Sequence, residues 1–228
     1  MLFSKERKAV VLASSTKEVA GIKNAVVVTN DGGAAGNCSA MNVVYNAART
    51  LKDADEIIIL GTLGAYDDTP IGTIILPELI INGDAGYSFG DSFSLHRWMT
   101  NGSETTLIDY CSVEPNYQLQ QVIREAGLSF KSATIVATDT WHDTTGGDSP
   151  FLTKMKEIDV VGEDMEDFGY LMALSNLGLD KKATVARVVS NNIKTPYNPN
   201  EVSDIMFNAC SIVSKYIEER REKKRKES

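Results

Sequence analysis

The sequence predicts an α/β fold, and three observations carry that prediction. Short continuous apolar runs recur along the chain, KAVVLA at 8–13, AVVVT at 25–29 and EIIILG at 56–61, as parallel strands buried on both faces do. Other segments place apolar residues at helical spacing, such as Leu119, Val122 and Ile123, or Val202, Ile205, Met206, Ala209 and Val213. The strand predicted from Ala183 to Val189 then ends in Arg187, Ser190, Asn191 and Asn192 rather than in an ordinary turn. Polar groups at the carboxyl end of a buried strand are where open α/β sheets keep their ligands.

The chain's 228 residues, 43% hydrophobic and 24% charged, suit one domain over 1–228 with a sizeable core. No apolar run approaches the roughly 20 residues of a membrane span, and the start, MLFSKERK, lacks a signal peptide's apolar centre, so a cytoplasmic protein with no membrane partner is expected. Cys38, Cys111 and Cys210 form no CxxC arrangement and neither histidine has a partner at ligand spacing, which suggests no disulfide framework, metal or zinc site. A net charge of −8 argues against nucleic acid, whose phosphates call for a basic face. Positive charge gathers only at 218–228, EERREKKRKES, read as a charged C-terminal helix end or tail.

Taken in order, KAVVLA is a buried strand leading into SSTKEV, which carries Lys17 and Glu18. AVVVT is the second strand, and NDGGAAGNCSAMN is a glycine-rich turn into a helix from about Ser39 to Leu51, without a GxGxxG or P-loop lysine pattern. EIIILG is the clearest core strand and exits into Thr62-Leu63-Gly64-Ala65. GTIILPELIIN (72–82) reads as a strand interrupted at Pro77, at an edge or bulge. Residues 83–99, rich in Gly, Ser and aromatics and containing His96 and Arg97, read as a loop over the site. A helix is predicted from Pro115 to about Ala126, a strand from Lys131 to Ala137 ending in TDTWHD, and a short helix from Pro150. Glu163, Asp164, Glu166 and Asp167 are then expected in the first turn of a helix after Gly162, where free N–H groups and the dipole favour negative charge. TPYNPN is a loop, and Glu201 to Glu219 forms a final amphipathic helix.

Two patches, Asp164-Met165-Glu166 and Arg187-x-x-Ser190-Asn191, resemble the nucleoside phosphorylase and nucleosidase superfamily that includes the methylthioadenosine/adenosylhomocysteine nucleosidases. The resemblance runs over most of 8–215. It implies a three-layer, phosphorylase-like fold with a mixed, partly closed central sheet flanked by helices, and a homo-oligomer, dimer or hexamer. It implies no cofactor; the partner is a small nucleoside, with phosphate as the alternative to water. The family's E-M-E sequence holds the ribose, a role that falls to Met165 and Glu166. The family's R-x-x-S-D strand end is matched by Arg187 and Ser190, but Asn191 replaces the Asp that donates a proton to purine N7. Glu18 matches the glutamate that positions attacking water, and Thr62 and Gly64 match the loop that meets the ribose and the nucleophile. Asp139 and Trp141, followed by His142, match a segment whose aromatic ring stacks on the purine. Ile59 and Lys17 stand where related phosphorylases carry phosphate-binding arginines. An aliphatic side chain lacks the forked donors that a phosphate dianion needs, which favours the nucleosidase reading.

Breaking a nucleosidic bond passes through an oxocarbenium-like cation, so the chemistry needs a carboxylate by the sugar, a donor for the departing base and a poised nucleophile. Asn191 cannot deliver a proton as an acid, and three readings follow. Asn191 recognises a 6-oxopurine; or Asp139 or His142 supplies the proton; or catalysis is lost and the protein binds a nucleoside.

Overall fold

The computed structural model describes residues 8–30, 35–89, 92–95, 97–100, 103–106, 109–142, 145 and 149–227, with backbone alone at 86–106 and at 227. The first apolar run is β1 (Ala9–Ala13), followed by one helical turn, α1 (Thr16–Val19), and by β2 (Val26–Thr29). Helices α2 (Asn37–Asn46) and α3 (Ala48–Lys52) lead to β3 (Glu56–Ala65) and then β4 (Ile74–Asn82). Two hairpins come next, β5 (Gly86–Phe89) with β6 (Ser92–Leu95) and β7 (Arg97–Thr100) with β8 (Ser103–Thr106). The chain continues through β9 (Tyr110–Ser112), α4 (Tyr117–Glu125), β10 (Phe130–Ala137), α5 (Pro150–Glu157) and β11 (Val160–Asp164). It ends in α6 (Asp167–Asn176), β12 (Ala183–Asn191) and α7 (Val202–Glu227).

The strands form one mixed sheet in the order β11-β10-β4-β12-β3-β1-β2, with β9 along β4. Pairing is parallel for β1–β3, β3–β12 and β4–β10, and antiparallel for β4–β12 and β3–β11. Because β11 also pairs with β3, the strands β3, β11, β10, β4 and β12 close on themselves as a barrel, while β1 and β2 extend it. The mixed, partly closed central sheet flanked by helices is therefore the architecture of the chain.

Alternation along the strands builds two cores. Ile57 and Ile59 join Val10, Leu12 and Val185 beneath α2 and α6, whereas Ile58 and Leu60 join Val11 and Val188 beneath α4 and α7. All four β3 residues from Ile57 to Leu60 are completely buried, each side chain contributing about 1.5–3 kcal/mol of apolar burial. Helix starts follow local chemistry: Asn116 accepts the Leu119 N–H at 2.9 Å, and Ser149 accepts the Leu152 N–H at 3.1 Å with Pro150 in the first turn.

Several sequence expectations are corrected. Thr62–Ala65 continues strand β3 instead of forming a loop, because it pairs with β11 and β12. Glu163 and Asp164 lie on β11 rather than in a helical first turn; the helix begins only at Asp167. Ser190 and Asn191 are the last residues of β12 itself. Of the two expectations for Pro77, the bulge holds, since it sits at a register shift in β4, and the edge does not, since β4 is an interior strand with neighbours β10, β12 and β9. Residues expected to form a loop at 83–99 contain β5, β6 and most of β7. His96 and residues 31–34 of the glycine-rich turn lie outside the described residues, as does the Arg97 side chain. The last helix extends through Glu227, beyond the expected Glu219. Among the described residues no helix is long and apolar enough to cross a membrane.

Barrel closure depends on a close approach. Gly162 faces Ala65 and Glu163 faces Gly64 across the β11–β3 pair, and a Cβ on Gly162 would lie 2.5 Å from the Gly64 carbonyl oxygen and 2.6 Å from the Leu63 side chain. A methyl group there forces the two strands apart. Gly162→Ala is expected to lower stability by about 1–3 kcal/mol, the cost of overpacking, read as a reduced urea midpoint.

Candidate active site

The carboxyl ends of β1, β3, β11 and β12 open into a cavity of about 680 Å³, a volume ordinary for a small-molecule site. Ser14 follows β1, Thr62 to Gly64 come from β3, Glu163 and Asp164 from β11, and Ser190 from β12. Met165 and Glu166 line it from the junction of β11 and α6. Trp141, beyond β10, and Tyr197, between β12 and α7, complete it with their rings 5.5 Å apart.

Glu18 is only 4% exposed, although it sits on a four-residue helical turn. Its Oε2 accepts from the Ser14 hydroxyl at 2.5 Å and the Ser15 N–H at 3.1 Å, and its Oε1 accepts from the Thr62 N–H at 2.9 Å and the Thr62 hydroxyl at 3.1 Å. Four donors thus hold the Glu18 carboxyl group against the cavity wall, satisfying the acceptors that burial removes from water.

Arg187 lies behind that wall, 1% exposed. Its Nε and Nη2 grip both carboxylate oxygens of Asp167, and Nη2 also lies 2.7 Å from Asp164 Oδ2. Burial alone would depress the guanidinium pKa, but Asp164 and Asp167 outweigh it and hold the group well above its ordinary value. The Asp164 Oδ2 atom also accepts the N–H groups of Glu166 and Asp167, at 3.0 and 2.9 Å, where the chain turns from β11 into α6. Burial nevertheless raises the Asp164 carboxyl, with Asp167 and Glu166 adding to the rise against Arg187. Burial likewise pushes Glu166 up to about 7; Arg187 opposes the shift, and Glu18 and Asp167 reinforce it. A Cβ on Gly61 would collide with Arg187 Nη1, so glycine at this β3 position lets the guanidinium pass.

Of the residues singled out in the sequence, Glu18, Thr62, Gly64, Trp141, Met165, Glu166 and Ser190 line the cavity together. The other four stand outside that lining. Arg187 holds the two aspartates. Asn191 is buried behind Gly64, its Oδ1 accepting the Ser190 hydroxyl at 2.9 Å. Asp139 accepts the Asn37 N–H at the start of α2 at 2.5 Å. His142 donates its backbone N–H to Glu163 and sets Nδ1 2.9 Å from the same carboxylate, with its ring stacked on Phe151 at 3.9 Å. Glu163, Tyr197 and Asn30 line the cavity without having been chosen from the sequence. Glu163 reads in the sequence only as part of an acidic helix start; nothing local flags Tyr197, which reaches the site only through the path of its loop.

No family model matches the sequence, and no curated protein matches it. Solved structures do match. The methylthioadenosine/adenosylhomocysteine nucleosidase of Helicobacter pylori, solved with butyl-thio-DADMe-Immucillin-A, superposes with a TM-score of 0.72 at 12% identity, covering 95% of this chain and 100% of that one. This is the nucleosidase fold. The Campylobacter jejuni nucleosidase matches with a TM-score of 0.69 at 14% identity, over 93% of this chain and 99% of that one. A futalosine hydrolase mutant of Helicobacter pylori matches with a TM-score of 0.69 at 11% identity over the same shares. At such identities the nucleosidase fold is what is shared, and this chain is divergent in sequence from these neighbours.

Two outcomes follow from the buried charges on this nucleosidase fold. Arg187→Gln leaves Asp164 and Asp167 buried without their cation and is expected to cost about 3–5 kcal/mol in chemical denaturation. The Glu166 carboxyl is raised in the folded state from its ordinary value of 4.5 to about 7, so the folded protein binds its proton more tightly than the unfolded chain does. The stabilisation is fully present below the unfolded value and is lost as pH rises through about 7. Between pH 5 and 8, at about 0.1 M salt, the urea midpoint of the natural protein is expected to fall relative to that of Glu166→Gln.

Proposed function

We propose that the protein cleaves the N-glycosidic bond of a purine nucleoside and uses water rather than phosphate as the nucleophile. The observation that carries this reading is the meeting of Glu18 and Glu166 in one cavity with an aromatic rim. Glu166 holds ribose hydroxyls and sets negative charge beside the developing ribosyl cation, an effect strengthened where water is scarce. Glu18 orients the attacking water and takes its proton. Trp141 supplies a flat face for the base.

Water is favoured over phosphate by the charges around the cavity. Ile59 is fully buried in the core, Arg187 is committed to Asp164 and Asp167, and Lys17 is the one basic side chain among the described lining residues. A phosphate dianion would enter a wall already rich in carboxylates.

A second reading, a nucleoside-binding protein without turnover, has Asn191 in its favour, because an amide delivers no proton to a departing base. Incubation with inosine, guanosine, adenosine and methylthioadenosine, with and without phosphate, separates the possibilities. Free base without phosphate supports the hydrolase, base only with phosphate supports a phosphorylase, and thermal stabilisation with no base released supports the binder. Base release that appears only in Asn191→Asp also decides for the binder.

Glu18→Gln is expected to lower kcat by about 10²–10⁴ in a base-release assay while leaving nucleoside binding measurable by calorimetry. Trp141→Ala is expected to weaken nucleoside binding by about 1–3 kcal/mol, the scale of one base stacked on an aromatic ring, by the same calorimetric measurement.

A further inference from the structure

We infer that the nucleoside taken by this cavity carries a positively charged base, one whose ring becomes neutral when the glycosidic bond breaks. The inference rests on the nucleosidase reading above and names its substrate class. A neutral purine leaves as an anion unless a proton reaches it, so its departure calls for an acid. A quaternised purine or an N-ribosylpyridinium needs none.

Three features of the cavity favour the charged base. First, the three residues singled out in the sequence for the departing base are engaged elsewhere, while Glu166 is assigned to the ribose: Asp139 accepts the Asn37 N–H, His142 pairs with Glu163 and stacks on Phe151, and Asn191 is an amide. None of the three belongs to the lining. Second, among the described lining residues four carboxyl side chains, Glu18, Glu163, Asp164 and Glu166, face one basic side chain, Lys17. A cation favours the charged form of these carboxyls and is drawn in by them, whereas a neutral ligand only adds to their burial. Third, Asp164 is 4% exposed in that wall, and its buried Oδ1 has no hydrogen-bond partner among the described residues. An unmet carboxylate oxygen is an attractive neighbour for positive charge or for a polarised N–H. The Trp141 and Tyr197 rings at the same cavity add faces on which a cationic heterocycle is held more firmly than a neutral one.

The reaction balances with water alone. The water oxygen bonds to C1′ as the C1′–N bond breaks, and the bonding pair moves onto the ring and cancels its charge. The water proton passes to Glu18 and then to solvent. Free ribose and a neutral base remain.

The test uses the full chain without phosphate. Base release is measured by chromatography for 7-methylguanosine against guanosine and for nicotinamide riboside against adenosine, with every rate divided by the uncatalysed rate in the same buffer. The cationic member of at least one pair is expected to show a kcat/KM at least about 100-fold higher, the lower end of what an acid would otherwise supply. Which pair shows it tells a purine from a pyridinium. Cleavage with a ratio below about 100-fold in both pairs overturns the inference and leaves the nucleosidase reading standing. Where no nucleoside is cleaved, that reading falls, and thermal unfolding with 1-methylnicotinamide against nicotinamide decides the question of charge. Stabilisation by the cation alone upholds the inference, and equal or absent stabilisation by both overturns it.

Discussion

The contact on which this structure depends is the buried grip of Arg187 on Asp167 and Asp164. It ties the middle of β12 to the end of β11 and the start of α6. Without it, three carboxylates would crowd one dry corner of the fold. With it, α6 begins where Asp164 accepts the Glu166 and Asp167 N–H groups, and Glu166 is presented to the cavity from the first residue before the helix. Isolated from water, such an arrangement contributes little net stability, because desolvation of the ions offsets most of their attraction. Its consequence is positional: the acid that faces the cavity has one place to be.

Closure of the barrel and construction of the cavity are the same event. The β11–β3 pair brings Gly162 against Ala65 and Glu163 against Gly64, and the residues that follow on β11 are the ones that line the site. On the opposite wall, the Thr62 N–H and hydroxyl hold Glu18 from β3. Two acids on separate elements thus owe their separation to one sheet. Their mutual repulsion also explains part of the elevation of Glu166, burial being the larger cause.

Much of this was legible in the sequence where the information is local. The runs of β1, β3 and β12 read as buried strands because nearly every position in them up to the site is apolar or small, Glu56 and Arg187 excepted, and they are buried strands. Glu18 and Thr62 are found by position after β1 and EIIILG, and Met165 and Glu166 by the family resemblance of Asp164-Met165-Glu166, and all four share the cavity. Where the chain's partners lie far away, the reading failed. Thr62–Ala65 looks like a loop until β11 closes on it, and Glu163-Asp164 looks like an acidic helix start until its strand partner is known. The hairpins at 86–106 carried a usable local sign, the Asn101-Gly102 pair between two short strands, which is a strong two-residue turn signal. The glycines and aromatics around it masked the alternation.

The chain has two tryptophans, Trp98 on β7 and Trp141 beside the cavity. The indole of Trp141 is 44% exposed and tilted against Tyr197. Any molecule that seats itself there must exchange solvent for a planar neighbour on that indole. The molecule therefore has an optical reporter built into its doorway, and the protein's own emission would register occupancy with no dye attached.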